Sequence, residues 1–402
     1  MTDSLVLDPP LASKHLLGRL DQQPADSLLA LIGLHRSDQR TDKIDLGVGV
    51  YKDEAGRTPV MGAVKTAEAM LLAGQGSKSY LGPEGDIGFF DRLTPIIFGD
   101  LDLSGRLSGL QTPGGTGALR LAGELIYRAN PHARVLVGMP TWPNHVPLLE
   151  ASGLQIVPHT FFDVTSQNIC FDNVLEALNA ASAGDVVLLH ACCHNPTGAD
   201  FSLEQWIALT EIIVARRLLP LVDMAYQGLG DGLDEDAAGL RLIAAAVPEL
   251  LLAYSCDKNF GLYRERVGGL FAISATSTGA AITQSTLLAL ARANWSMPPD
   301  HGAAVVRIVL DSPDLSAQWR AELNEMRTRI ADVRKVLSSL DPSLASMVKQ
   351  KGMFSTLALS GKQITDLRVD HAVYMAGSGR INLAGFVPTN IASFIGALAL
   401  VR

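Results

Sequence analysis

Four polar residues stand at or just beyond the ends of apolar runs in this chain. Asn195 follows DVVLLHACC (185–193), Asp223 lies near the end of LPLVDMA (219–225), Ser255 closes LLLAYS (250–255) and Lys258 comes three residues later. A lysine amine can form a Schiff base with a carbonyl or carry a proton, and a carboxylate can hold a proton or cation opposite it. A further candidate is GGTGALRLAGELIYRA (114–129), where glycines and a threonine precede a well-patterned helix. Backbone N–H groups at such a start can bind a phosphate. Each feature also has a plainer structural reading: a glycine turn, a strand-ending turn for Asn195, a helix cap for Asp223, a solvated Asp257–Lys258 ion pair. Taken singly, neither kind of reading prevails. Together, in the order HNPTG (194–198), VDMAYQGLGDG (222–232) and SCDKNFGLYRERVGG (255–269), they are much harder to attribute to structure alone.

The elements that must hold these residues follow from the alternation of short β-rich runs with amphipathic stretches. RVLVG (134–138) joins the three runs above, and the rhythm predicts βαβ units around a mainly parallel sheet. Ligands of such sheets sit beyond the carboxyl ends of the strands, where these polar residues fall. From about 315 to 340 the pattern predicts one long helix linking two domains, followed by a smaller α+β unit with strands near MFSTLAL (353–359) and RINLAGF (380–386).

Composition agrees with a large α/β protein: 402 residues, 48 % hydrophobic, 18 % charged and 6 % aromatic. A net charge of -8 argues against a nucleic-acid or anionic-membrane binder. Cys170, Cys192, Cys193 and Cys256 lack zinc-site spacing, which predicts buried, reduced thiols and no metal. The N-terminus shows no secretory pattern and no apolar stretch is long enough to span a membrane, so a cytoplasmic enzyme is expected.

In these motifs the sequence resembles the class I (aspartate and aromatic) aminotransferases, from PADSLLALIG (24–33) and KIDLGVGVYKDEAGRTP (43–59) to GRINLAGF (379–386). The resemblance implies an α/β, fold-type I architecture dependent on pyridoxal 5'-phosphate (PLP), with a mainly parallel seven-stranded sheet in the large domain and a smaller α+β domain. The expected division is an arm over 1–24, a small domain over 25–58 and 327–402, and a large domain over 59–326. By position, Lys258 carries the cofactor as a Schiff base and Asp223 pairs with its pyridine nitrogen, keeping the ring an electron sink. Tyr226 and Asn195 bond the ring oxygen, Trp142 stacks on the ring, and His145 in PTWPNH (140–145) supports Asp223. Gly115, Thr116, Ser255 and Arg266 receive the phosphate, joined by Tyr80 in KSYLGPEG (78–85) from a neighbouring subunit, which implies a homodimer with shared active sites. Arg380 clamps the substrate α-carboxylate, for which a guanidinium fork is suited, and backbone near Gly49 closes over it.

The same resemblance implies transamination with ping-pong kinetics and 2-oxoglutarate as acceptor. Arg292, in ARANWSMPPDHGA (291–303), matches the residue that pairs, across subunits, with a side-chain carboxylate; aromatic members of the family keep it and move it aside. Met297 stands where aspartate-specific members usually carry asparagine, and LLHACCHNPTGA (188–199) and AYQGLGDGLDEDAAGLRLIA (225–244) look closer to bacterial aromatic enzymes. The expectation is therefore phenylalanine and tyrosine, with tryptophan and aspartate or glutamate as further substrates; an aspartate aminotransferase is the runner-up. A PLP-dependent lyase and a PLP-sensing regulator are the rivals from other classes, the latter lacking a basic DNA-binding stretch. Asp257, Thr356 and Ser27 depart from the family pattern. A carboxylate at 257 would raise the pKa of Lys258 or point into solvent.

Overall fold

The computed structural model describes residues 16–22 and 27–402; most of the arm expected over 1–24, and the side chain of Ser27, lie outside the described residues. The central sheet has seven strands: β1 (Leu107–Pro113), β2 (Arg134–Met139), β3 (Gln155–Thr160), β4 (Val186–His190), β5 (Leu219–Met224), β6 (Leu250–Ser255) and β7 (Val267–Ile273). Their spatial order is β1-β7-β6-β5-β4-β2-β3, and only β7 runs against its neighbours.

Every residue of β6 and β7 is buried, as befits strands covered on both faces. Alternation divides the apolar side chains of β6 between two cores. Leu250, Leu252 and Tyr254 enter the larger one, while Leu251 and Ala253 join Leu121, Ala122 and Val137 in the smaller. The smaller core is closed by the helix Gly114–Ala129, whose buried face includes Ala118, Leu119, Leu121, Ala122 and Ile126. Where this helix begins, it passes directly over β7. A Cβ on Gly268 would lie 2.5 Å from the Tyr254 carbonyl oxygen and 2.6 Å from the Gly114 carbonyl carbon, so no larger residue fits.

The long helix is continuous over Pro313–Leu340, opened by a Ser312 side chain that accepts from the Leu315 N–H. Its Trp319 stacks on Phe260 at 4.4 Å and donates to the Asn259 carbonyl at 2.8 Å. The loop directly after Lys258 is thereby fixed from below. Beyond the helix, Phe354–Thr356 pairs antiparallel with Arg380–Asn382, and Ile44–Asp45 pairs parallel with Val373–Tyr374. Chain segments more than 300 residues apart are thus brought together near the carboxyl end of the sheet. Among the described residues no helix is long and apolar enough to cross a membrane.

Candidate active site

Asp223 lies one residue before the end of β5, and its cross-strand neighbour in β4 is His190. Across this end of the sheet, the polar atoms form a connected line. A carboxylate can only accept, so His145 Nε2–H donates to Asp223 Oδ2 at 2.9 Å. That leaves His145 Nδ1 to accept from the Thr141 hydroxyl at 2.8 Å, and Thr141 Oγ1 to accept from His190 Nε2–H at 3.2 Å. Burial alone would raise the Asp223 pKa, but the hydrogen bond from His145, helped by the nearby Lys258 amine, holds it below the ordinary carboxylate value. Asp223 is therefore a fixed anion at neutral pH.

Lys258 faces this carboxylate from the turn after β6, with its Nζ 5.3 Å from the centre of the Tyr226 ring. Among the described residues no carboxylate lies within ion-pair distance of Nζ. Burial lowers the amine pKa; Asp257 and Asp223 pull it up and Arg266 pushes it down, and the net direction is down. The amine is thus easier to deprotonate than a surface lysine, which suits a nucleophile and base. Burial also pushes the Tyr226 phenol well above its ordinary range, so it is a hydrogen-bond donor and not an anion.

The start of the helix Gly114–Ala129 forms the next wall. Gly114 has φ +69°, and a Cβ there would lie 2.7 Å from Arg266 Nη2 and 3.2 Å from Asp257 Oδ2. A Cβ on the neighbouring Gly115 would stand 3.1 Å from the Ser255 Cβ. Gly115, Ser255 and Arg266 therefore border one small space at a helix N-terminus, with Thr116 next in sequence, and donors there suit an anion. The expectation that Asp257 points into solvent is overturned. It is 2 % exposed and accepts from Arg266 Nη1 and, at 3.1 Å, from the Val267 N–H.

On the opposite side, Arg380 is 8 % exposed and has no carboxylate partner among the described residues. It donates to Asn195 Oδ1 at 3.3 Å and to the Gly47 carbonyl at 3.0 Å, and its guanidinium lies 4.5 Å over the Phe354 ring. Its Nε is buried without a partner. Burial lowers its pKa, the signature of a desolvated cation awaiting an anion. The Asn382 amide donates to the Val48 and Val50 carbonyls at 2.6 and 2.8 Å, which anchors the segment around Gly49; a Cβ on Gly49 would touch Phe354 at 3.0 Å. The Thr356 hydroxyl donates to the Pro196 carbonyl at 2.9 Å and so supports the HNPTG loop.

The fold thus brings Lys258, Asp223, Tyr226, Asn195, Ser255, Arg266, Gly115, Gly49 and Arg380 to one end of the sheet. Trp142 is partly buried beside them, its ring 5.1 Å from His145 and edge-on. Tyr80 and Arg292 stand apart from this group within the chain: Tyr80 is 93 % exposed, and Arg292 turns to Ser296 near the exposed end of the helix Ser277–Asn294. Thr141 and His190 were not singled out from the sequence, although they lie within PTWPNH (140–145) and DVVLLHACC (185–193); the available signal was a histidine set inside the apolar run that precedes the one carrying Asp223. All four cysteines are free; Cys192, Cys193 and Cys256 are buried and Cys170 partly so.

The donor set fits the cofactor that the resemblance implies: an amine and a guanidinium without carboxylate partners among the described residues, a fixed carboxylate and an anion cradle at a helix start. Residues 41–398 match the family described as Aminotransferase class I and II. A tyrosine aminotransferase of Rhizobium meliloti (strain 1021) is 51 % identical over 381 residues, covering 94 % of this chain and 98 % of the relative. An aspartate aminotransferase of Escherichia coli (strain K12) is 44 % identical over 388 residues, covering 94 % and 98 %. The crystal structure of an aromatic-amino-acid aminotransferase from Burkholderia pseudomallei, covalently bound to pyridoxal phosphate, superposes with a TM-score of 0.94 at 37 % identity, covering 96 % of this chain and 99 % of that one. With this extent of match, on a seven-stranded sheet ending in these groups, the chain belongs to the class I and II aminotransferases, in their aspartate and aromatic branch.

Proposed function

We propose that this chain transfers amino groups from aromatic amino acids, chiefly phenylalanine and tyrosine, and also from dicarboxylic amino acids, to 2-oxoglutarate. The observation that carries this reading is Lys258 Nζ, unpaired and depressed in pKa, facing the Asp223–His145 pair. PLP, when bound, supplies an electron sink for the electron pair left at the amino acid α-carbon as its proton departs.

Asp223 would keep a proton on the ring nitrogen, with His145 keeping Asp223 anionic and oriented. Tyr226 and Asn195 would donate to the ring oxygen, Trp142 would pack against the ring, and Gly115, Thr116, Ser255 and Arg266 would hold the phosphate. Arg380 takes the substrate α-carboxylate through two parallel N–H donors, orienting the α-carbon towards Lys258. Lys258 Nζ then accepts the α-proton and returns it on the other side of the transferred nitrogen. The segment around Gly49 excludes water once substrate is held.

Tyr80 and Arg292 act, in this reading, across the interface of a homodimer. For aromatic substrates the supporting feature is Met297, whose Sδ accepts from the Leu81 N–H at 3.0 Å next to the turn that holds Arg292. An apolar, adaptable thioether there suits a ring better than a polar amide does. Arg292 itself favours the second reading, an aspartate aminotransferase.

The deciding experiment compares kcat/KM for phenylalanine, tyrosine and aspartate with 2-oxoglutarate. Comparable values across the three are expected, and a strong aspartate preference with negligible aromatic activity selects the second reading. Lys258→Ala should keep the cofactor through its phosphate contacts and lose turnover by about a thousandfold or more. Near-wild-type turnover by that variant overturns the assignment altogether.

A further inference from the structure

Asp257 is a buried carboxylate on the wall of an anion cradle, a placement that simple phosphate binding does not require. Its Oδ2 accepts from Arg266 Nη1, its Oδ1 accepts from the Val267 N–H, and its own N–H donates to Ser255 Oγ at 3.2 Å. The Gly114 contacts given above put Asp257 Oδ2 and Arg266 Nη2 at the edge of the same space. Arg266 Nη1 also donates to the Tyr263 carbonyl at 3.3 Å, and Nη2 is the nitrogen at the edge of the cradle. The helix start adds about half a positive charge. The guanidinium of the cradle is therefore neutralised before any phosphate arrives.

We propose that Asp257 is a counter-anion built into the phosphate cradle, so that this chain holds its phosphorylated cofactor more loosely than the same site would with a neutral residue there. The proposal rests on the PLP reading of the site. Two effects of Asp257 oppose each other. By ordering Arg266 it saves the entropy of fixing one long side chain, which favours binding by roughly two- to tenfold. By placing a like charge within a few ångströms of the incoming phosphate, in a partly desolvated site, it disfavours binding by about ten- to a hundredfold. The second effect is the larger, and it acts on the phosphate alone.

The test measures dissociation of PLP from the wild-type holoenzyme and from Asp257→Ser and Asp257→Asn, followed by cofactor absorbance after dilution, with unphosphorylated pyridoxal as the comparison. Both variants are expected to hold PLP about tenfold more tightly, with a much smaller change for pyridoxal, which shares only the Lys258 amine and not the phosphate. Unchanged or weaker PLP binding overturns the proposal, as does an equal gain for pyridoxal, which would mean that Asp257 does not act through the phosphate. Should Asp257→Ser fail to fold, the near-isosteric Asp257→Asn carries the comparison. Borohydride reduction of the wild type separates the two levels of inference. Absence of a phosphopyridoxyl group on Lys258 overturns the PLP reading itself, whereas its presence with unaltered dissociation in the variants overturns only the role of Asp257.

Discussion

His145 Nε2 lies 2.9 Å from Asp223 Oδ2, and the imidazole is itself held from behind by the Thr141 hydroxyl at 2.8 Å. His145 is fully buried, so this contact is shielded from water and its geometry is set by the fold. The arrangement gives the carboxylate a single orientation and a preference for its charged form.

Removing that partner tests its positioning role. In His145→Phe the carboxylate loses a charge-assisted hydrogen bond, so its pKa rises. The expected result is a kcat lower by roughly ten- to a hundredfold with KM little changed. The acid limb of the pH–rate profile should move to higher pH, a change that a purely structural role would not produce. An unshifted profile would count against the role.

Arg380 is a cleft cation with no carboxylate partner among the described residues, and its planar fork matters as well as its charge. Arg380→Lys keeps the charge and loses the paired donors, so kcat/KM should fall by about a hundredfold for amino acid and keto acid alike. Arg380→Gln should fall further. Steady-state kinetics on both half-reactions checks this, and a loss confined to one of them contradicts a shared α-carboxylate clamp.

Arg292 separates the substrate classes. Arg292→Leu should lower kcat/KM for aspartate by about a hundredfold or more, while phenylalanine stays within about tenfold of wild type. Parallel losses for both would mean that Arg292 serves stability or assembly, which analytical ultracentrifugation of the variant would reveal.

Acid stability follows from the buried histidines. Burial depresses His190 to about 3 and His159 to about 4, and takes His194 well below its ordinary value. A group depressed in the folded state contributes stability above its unfolded pKa and loses it as pH falls, because the unfolded chain takes up the proton first. The affected window opens near pH 6.5 and extends down towards the folded values. Asp200 works in the opposite sense: burial raises its carboxyl to about 6, so its protonation below that point favours the folded state. Asp236 is likewise raised by burial, and the three deeply buried histidines, each contributing up to about 2 kcal/mol by about pH 5, outweigh these two carboxyls. Urea unfolding at about pH 7 and about pH 5 should therefore show a clear net loss on acidification, smaller in His190→Gln. Stability that is level or rising over this interval would refute the assignment.

The runs 185–193, 219–225 and 250–255, and the helix 114–129, were legible in the sequence because their apolar spacing is a local property of the chain, although the first two strands end earlier, at His190 and Met224. The strands 107–113, 155–160 and 267–273 were not. Their runs are interrupted by Gly109, Pro158 and the Gly268–Gly269 pair, residues that weaken β propensity yet are required or tolerated here by position. Pro158 sits on the edge strand β3, and Gly268 passes beneath the start of a helix. The types and order of Asn195, Asp223, Ser255 and Lys258 were likewise fixed by sequence, together with the chemistry they make available. Tertiary structure decided their partners. Register set His190 beside Asp223 and so connected Thr141 to the line, packing turned Asp257 inward onto Arg266, and pairing of Thr356 with Arg380 aimed a guanidinium at Asn195, 185 residues earlier in the chain. Periodicity reports which face of an element is buried, but which side chain meets which across strands and crossovers depends on register and on long-range packing, and these exist only in the folded chain.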